Sequence, residues 1–269
     1  TKWGVLLNSS DTVLELFERI SKIYLPIEKI PGTSLSYGQG LNLTKNYIVD
    51  KQINEVLGQN NALIPFFTTH DNGMFEISKT SKFIINKKLL TPNQLSTLKN
   101  RKIMTFDPSN TRKIPAKLIM PRGIGRHFCG LNQVNCYSSS YVEIYDNFNN
   151  SSIGILLNLW LFFNSSVAWL FRELLGRKNL GGGMLKAESI DLSDLSVYFD
   201  YQKLPQIKKI FERLSIRKAL PTTEEIFTNE HREIDDIVFN SLLYDENEQS
   251  MIKDELIKTI KARETRSLT

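Results

Sequence analysis

The stretch Ile153-Gly154-Ile155-Leu156-Leu157-Asn158-Leu159-Trp160-Leu161-Phe162-Phe163-Asn164-Ser165-Ser166-Val167-Ala168-Trp169-Leu170-Phe171 runs for nineteen residues without a charge. As a helix it would be long enough to cross the hydrocarbon core of a bilayer. Four hydrogen-bonding side chains inside it, Asn158, Asn164, Ser165 and Ser166, argue against that reading, because each is costly to bury in hydrocarbon without a partner. The chain has no second run of this kind, and no basic cluster flanks this one. The stretch is therefore read as a core helix, apolar on every side because it crosses the interior of a globular domain. It extends to about residue 175, and Gly176 ends it.

On the N-terminal side of this helix the pattern is one of strands. Residues 63–67, 82–85, 117–120 and 141–145 carry the β-branched and aromatic bias of strands, with shorter candidates at 46–49 and around Phe128 and Tyr137. Residues 74–77 are expected to pair with 82–85. Two helices interrupt the strands. One covers 11–24, with Asp11 as N-cap, and the other covers 91–102, with Pro92 in its first turn. On the C-terminal side, apolar residues recur at helical spacing over 205–218, 232–243 and 245–263, the last capped by Asp245. The expected fold class is α+β: a strand-rich mixed α/β body with a core helix over residues 1–200, and a helical C-terminal tail over 201–269 packed on it.

Charge divides the 269 residues in the same way. Residues 77–142 carry twelve basic side chains and one acid, Asp107, whereas residues 222–269 carry twelve acids and six bases. A polyanion is attracted to the middle of this chain and repelled by its end. Two cysteines, Cys129 and Cys136, and three scattered histidines supply neither a zinc ribbon nor a disulfide scaffold, and suit a reducing cytoplasm. No phosphate loop of the ATPase kind, H-E-x-x-H or G-x-S-x-G occurs, and no two prolines are adjacent. His127 and Cys129 share a strand face but have no acid nearby in sequence, so they are not read as a catalytic pair. Glu233, Asp235 and Asp236 lie on an amphipathic helix and are read as its solvated face. Gly181-Gly182-Gly183, flanked by Arg177, Lys178 and Lys186, has two readings: the glycines only turn the chain after the helix, or, as the basic flank favours, their backbone N–H groups approach a phosphate.

Four segments, in order, resemble the C-terminal target-recognition region of TaqI-like adenine-specific N6 DNA methyltransferases of restriction–modification systems. They are Ile30-Pro31-Gly32 through Tyr37-Gly38-Gln39-Gly40-Leu41-Asn42 to Tyr47-Ile48-Val49; Ala62-Leu63-Ile64-Pro65-Phe66-Phe67 with Phe75 and Phe83-Ile84-Ile85; Leu157-Asn158 through Phe163-Asn164-Ser165-Ser166 to Gly181-Gly182-Gly183; and Arg232-Glu233-Ile234-Asp235-Asp236-Ile237-Val238 with residues 246–263. The third is the strongest. The family's cofactor loop and Asn-Pro-Pro-aromatic catalytic loop are missing. The resemblance implies that they lie in a domain N-terminal to Thr1.

The resemblance implies a double-stranded DNA partner in a prokaryotic cytoplasm, with no membrane role. It also implies a catalytic domain, in the same parent chain or as a separate subunit, that binds S-adenosylmethionine and methylates a flipped adenine. No cofactor or metal is expected in this chain. Candidates for base contact are Gln39 and Asn42 in the glycine-bearing loop, Arg122 and Arg126 beside Gly123 and Gly125, and Asn132 and Gln133. Gln and Asn suit adenine, and Arg suits guanine. Candidates for the DNA backbone are Lys45, Arg177, Lys178 and Lys186 for phosphates, with Tyr37 against a sugar. Three competing readings remain open: part of a specificity subunit of a multi-subunit restriction system, a nuclease or nuclease-associated domain, and a protein-interaction module with the acidic tail as its docking surface.

Overall fold

A computed structural model describes residues 10–58, 61–68, 73–111, 113–177, 185–193 and 195–265. In chain order it contains α1 (Asp11–Ile23), β1 (Leu25–Pro26), β2 (Leu35–Gln39), β3 (Val49–Asp50), α2 (Asn54–Leu57), β4 (Leu63–Phe67), β5 (Glu76–Ile77), β6 (Lys82–Ile85), α3 (Pro92–Asn100), β7 (Leu118–Met120), β8 (Gly123–Ile124), β9 (Gly130–Asn132), β10 (Tyr137–Ser138) and β11 (Val142–Asp146). There follow α4 (Ile153–Phe163), α5 (Ser166–Leu175), β12 (Leu185–Lys186), α6 (Ser189–Leu192), β13 (Ser196–Val197), α7 (Leu204–Ser215), α8 (Thr222–Glu225), α9 (Asn229–Ser241) and α10 (Glu246–Thr265). The class is mixed α+β, with strands before residue 150 and mainly helices after it.

The long apolar run forms two helices, not one. Asn164 ends α4, and the Ser165 hydroxyl caps α5 by accepting the Ala168 N–H at 3.3 Å, so the two axes bend by 64°. Ser-Ser inside an apolar run is helix-start chemistry, and here it acts as such. Both helices are buried almost throughout, and their polar side chains find partners inside the protein. Asn158 donates to the Gly154 carbonyl at 2.9 Å and accepts from the Asp200 N–H at 3.0 Å. Asn164 accepts from the Cys129 N–H at 2.8 Å, and donates to the Cys129 carbonyl at 3.0 Å and the Trp160 carbonyl at 2.8 Å. Among the described residues no single helix is long and apolar enough to cross a membrane.

Asp235 is a correction. It is fully buried, so that part of α9 is not a solvated face. Its carboxylate accepts the Ser166 N–H at 2.8 Å and hydroxyl at 2.7 Å, with Lys253 Nζ at 3.2 Å. A negative charge at the first turn of α5 is where the helix dipole favours one. His231 Nε2 lies 3.0 Å from the same hydroxyl. The Ser166–His231–Asp235 trio is thus a sealed structural clasp between α5 and α9.

Two larger sheets hold the strands. One has the order β2-β11-β7-β9-β5 and the other β10-β4-β6-β3, while β1–β13 and β8–β12 form two-stranded ribbons. Residues 74–77 do not pair with 82–85 as the sequence suggested. β5 runs parallel to β9, with Glu76 opposite Leu131, and β6 lies between β4 and β3. The competing interactions are tertiary. Trp160 Nε1 donates to the Phe75 carbonyl at 2.9 Å. A Cβ on Gly130 would sit 2.6 Å from the Met74 carbonyl oxygen, so only glycine permits this approach.

The second sheet, with α2 and α3, builds a small lobe over two apolar clusters of its own. Val49, Leu57, Ala62, Ile85 and Leu98 form one, and Leu41, Phe66, Ile84 and Phe106 the other. The main cluster joins Trp160, Trp169 and the first sheet to Ile207, Ile210, Ile234, Val238, Ile252 and Ile260 of the C-terminal helices. At element ends, Ser10 rather than Asp11 is the N-cap of α1. The strand expected over 46–49 shrinks to Val49–Asp50, because residues 45–47 form a 3₁₀ turn. Asp245 and Glu248 open α10 through reciprocal bonds of 2.8 and 2.9 Å.

Candidate nucleic-acid interface

Strand register fixes which candidates share an end of the first sheet. Gln39 stands opposite Val142, and Val142 opposite Met120 on its other side. Two strand spacings, roughly 10 Å, therefore separate the points where residues 40–45 and 121–126 leave the sheet. Gln39 is the last residue of β2 rather than a loop residue, and its carbonyl accepts from Lys113 Nζ and from the Tyr145 hydroxyl at 2.9 Å. Asn42 and Lys45 follow it, both exposed.

Beyond Met120 the chain meets two sequence-distant segments. Lys186 pairs with Gly123, and Arg177 exchanges backbone hydrogen bonds with Lys186 at 2.8 and 3.1 Å. The Ala187 N–H donates to the Arg122 carbonyl at 2.9 Å. Beneath this patch Ile124, Leu185 and Ala187 form a small apolar floor. Three candidate cations are thereby gathered around one carboxylate. Glu188 lies 2.8 Å from Arg122 Nη2, 2.8 Å from Lys186 Nζ and 3.9 Å from Arg177 Nη2. Hydrogen bonds from Lys186 and Arg122 hold its carboxyl at about 2, so it stays ionised and the group carries a net charge of about +2 at neutral pH. Gly123 and Gly125 are exposed beside it, and a Cβ on Gly125 would meet nothing within 4 Å. Arg126 Nη1 lies 3.1 Å from the position a Cβ on Gly73 would take. Lys178 and the glycines at 181–183 lie outside the described residues.

Glu188 was missed by the sequence reading. The available signal was its isolation: it is the only acid between Glu173 and Asp191, two residues from Lys186. Lys113, which donates to the Gln39 and Gly40 carbonyls, was missed as well.

Three candidates are placed elsewhere. Asn132 is buried; its amide donates to the Ala116 carbonyl at 2.7 Å and the Cys136 carbonyl at 2.9 Å, and accepts from the Cys136 N–H at 3.1 Å. It closes a turn and cannot read a base. Gln133 is exposed, but it lies four residues along β9 from the level of Met120, roughly 13 Å towards the opposite end of the sheet. Tyr37 packs edge-on to Phe163 at 6.2 Å, with its hydroxyl buried and no hydrogen-bond partner, so it does not face a sugar. Burial pushes that phenol well above its ordinary range.

His127 and Cys129 are both fully buried. Glu173, absent from their sequence neighbourhood, accepts from His127 Nε2 at 2.9 Å and from Arg263 at 3.1 Å. Burial lowers His127 to about 4 and raises the Cys129 thiol, so neither behaves as an activated base or nucleophile. Among the described residues no group of three or more His, Cys, Asp or Glu is placed to hold a metal ion.

No family model and no curated protein matches the chain. Solved structures do. The type IIG restriction endonuclease BpuSI superposes on 97% of this chain with a TM-score of 0.66 and 10% sequence identity. The chain covers 34% of that enzyme, about a third of its length. At this identity the likeness is one of fold.

Proposed function

We propose that this chain is the double-stranded DNA recognition part of a restriction–modification enzyme. The observation that carries the reading is the fold it shares, over nearly its whole length, with one third of a type IIG restriction endonuclease. The cation group around Glu188 supports it, because three sequence-distant basic residues converge at the sheet end from which Gln39, Asn42 and Lys45 also emerge. Phosphates would supply most of the affinity there, through Arg122, Arg177 and Lys186. Gln39, Asn42 and Arg126 are the side chains left to reach base edges.

At finer resolution, we read the chain as the target-recognition region of an adenine-specific N6 DNA methyltransferase. In that reading a separate catalytic domain or subunit binds S-adenosylmethionine, and this chain holds the duplex while the target base is flipped. A mobility-shift titration tests the coarse reading: retardation of duplex DNA that weakens steeply as KCl rises is expected, and no retardation at low salt would overturn it. Combining the chain with a catalytic part bearing an Asn-Pro-Pro-aromatic loop tests the finer one. Sequence-dependent N6-methyladenine is expected, and methylation that ignores sequence would defeat it.

A further inference from the structure

A second basic surface lies on the small lobe and begins at Lys45, where the chain has left the sheet end described above. It is assembled from three segments. Met104 donates its N–H to the Asn46 carbonyl at 2.9 Å, Phe106 to the Ile85 carbonyl at 2.8 Å, and Lys87 to the Phe106 carbonyl at 2.8 Å. Lys45, Lys87, Lys88, Arg101 and Lys102 thus hang from backbone segments about one hydrogen-bonded spacing, roughly 5 Å, apart. All five are exposed. Among the described residues the only ion pair they make is Lys88 with Asp107, at 4.0 Å.

Lys102 occupies an unusual backbone position. Helix α3 ends in a Schellman turn: the Ile103 N–H donates to the Leu98 carbonyl at 3.0 Å, and the Lys102 N–H to the Lys99 carbonyl at 2.9 Å. The residue between the helix and Ile103 must then be left-handed, and Lys102 has φ 58°. Glycine is the favoured residue there, and a lysine is strained. A cation at a helix C-terminus recovers part of that cost, but Lys99 and Arg101 already stand at this one. A strained, exposed lysine among four other exposed cations points to a ligand for its charge.

We propose that this face of the small lobe is a second phosphate-contacting surface for duplex DNA, gripping the backbone beside the stretch held at the Glu188 group. The inference rests on the DNA-binding reading above and adds a surface to it. Lys102→Gly is the discriminating variant. Measured at high KCl, where the helix-end attraction is screened, its melting midpoint should rise by about 2 °C. Its affinity for a fluorescein-labelled duplex of mixed sequence should fall. The slope of log K against log[KCl] should become shallower by about 0.9, and by about 2.7 in Lys45→Gln/Lys87→Gln/Lys102→Gly. A higher melting midpoint together with weaker binding and a shallower salt slope supports the inference. If wild type binds with a slope that only Arg122→Ala or Lys186→Ala reduces, this surface is wrong and the DNA-binding reading stands. If wild type binds no duplex, both fall.

Discussion

Replacing Glu188 with Gln separates binding from folding. The substitution removes the only negative charge among Arg122, Lys186 and Arg177 and raises the net charge of the group by one. Gln keeps the shape and can still accept hydrogen bonds. The ion pairs are at the surface, so their loss should cost at most about 1 kcal/mol of stability. A phosphate bound to the far side of the same cations would sit about 6 Å from the carboxylate. At that distance the repulsion is roughly 0.7–2.8 kcal/mol for a dielectric of about 80 down to 20, and physiological salt about halves it. Removing it should tighten duplex binding about twofold to tenfold. Fluorescence anisotropy with a labelled duplex reads the affinity, and a thermal melt reads the stability. Binding that weakens, or does not change at any salt concentration, would refute the claim that these cations face phosphate.

Two further predictions concern the scaffold. Asn164→Ala removes three buried hydrogen bonds and strands the Cys129 N–H and carbonyl, which should lower stability by about 3 kcal/mol with an unchanged urea m-value; a loss below about 1 kcal/mol would mean that this stitch is not what fixes α4 against the sheet. His127 makes the fold acid-sensitive. The unfolded chain takes up its proton near 6.5, whereas the folded chain resists it down to about 4. Stability is therefore complete above 6.5 and falls by roughly 1.4 kcal/mol per pH unit between those values, about 3 kcal/mol in all. Urea midpoints across that window should show the slope, and His127→Asn should flatten it; an equal slope in both proteins would assign the effect to other groups.

The sequence was most informative where local patterns decide structure. The amphipathic helices α1, α7, α9 and α10, the start of α3 at Pro92, the capping of α10 by Asp245, and the strands β4, β6, β7 and β11 all follow from periodicity and end-residue chemistry. It was least informative where partners come from far along the chain. Nothing near residues 74–77 in sequence says that Gly130 and Trp160 will outcompete β6 for them. The polarity of Asn132 and Asp235 suggested surface roles, yet both are buried because the backbone groups they satisfy are buried too. Arg122, Arg177 and Lys186 could be picked out by residue type, but their convergence on Glu188 exists only after β8 and β12 pair.

Selection from a pool of random-sequence duplexes puts the central claim to the most direct test. Bound DNA recovered at physiological KCl, in the presence of excess non-specific competitor, should converge on one short motif. That motif should be lost when Arg126 and Gln39 are replaced by Ala. Recovered sequences no different from the starting pool would contradict the account.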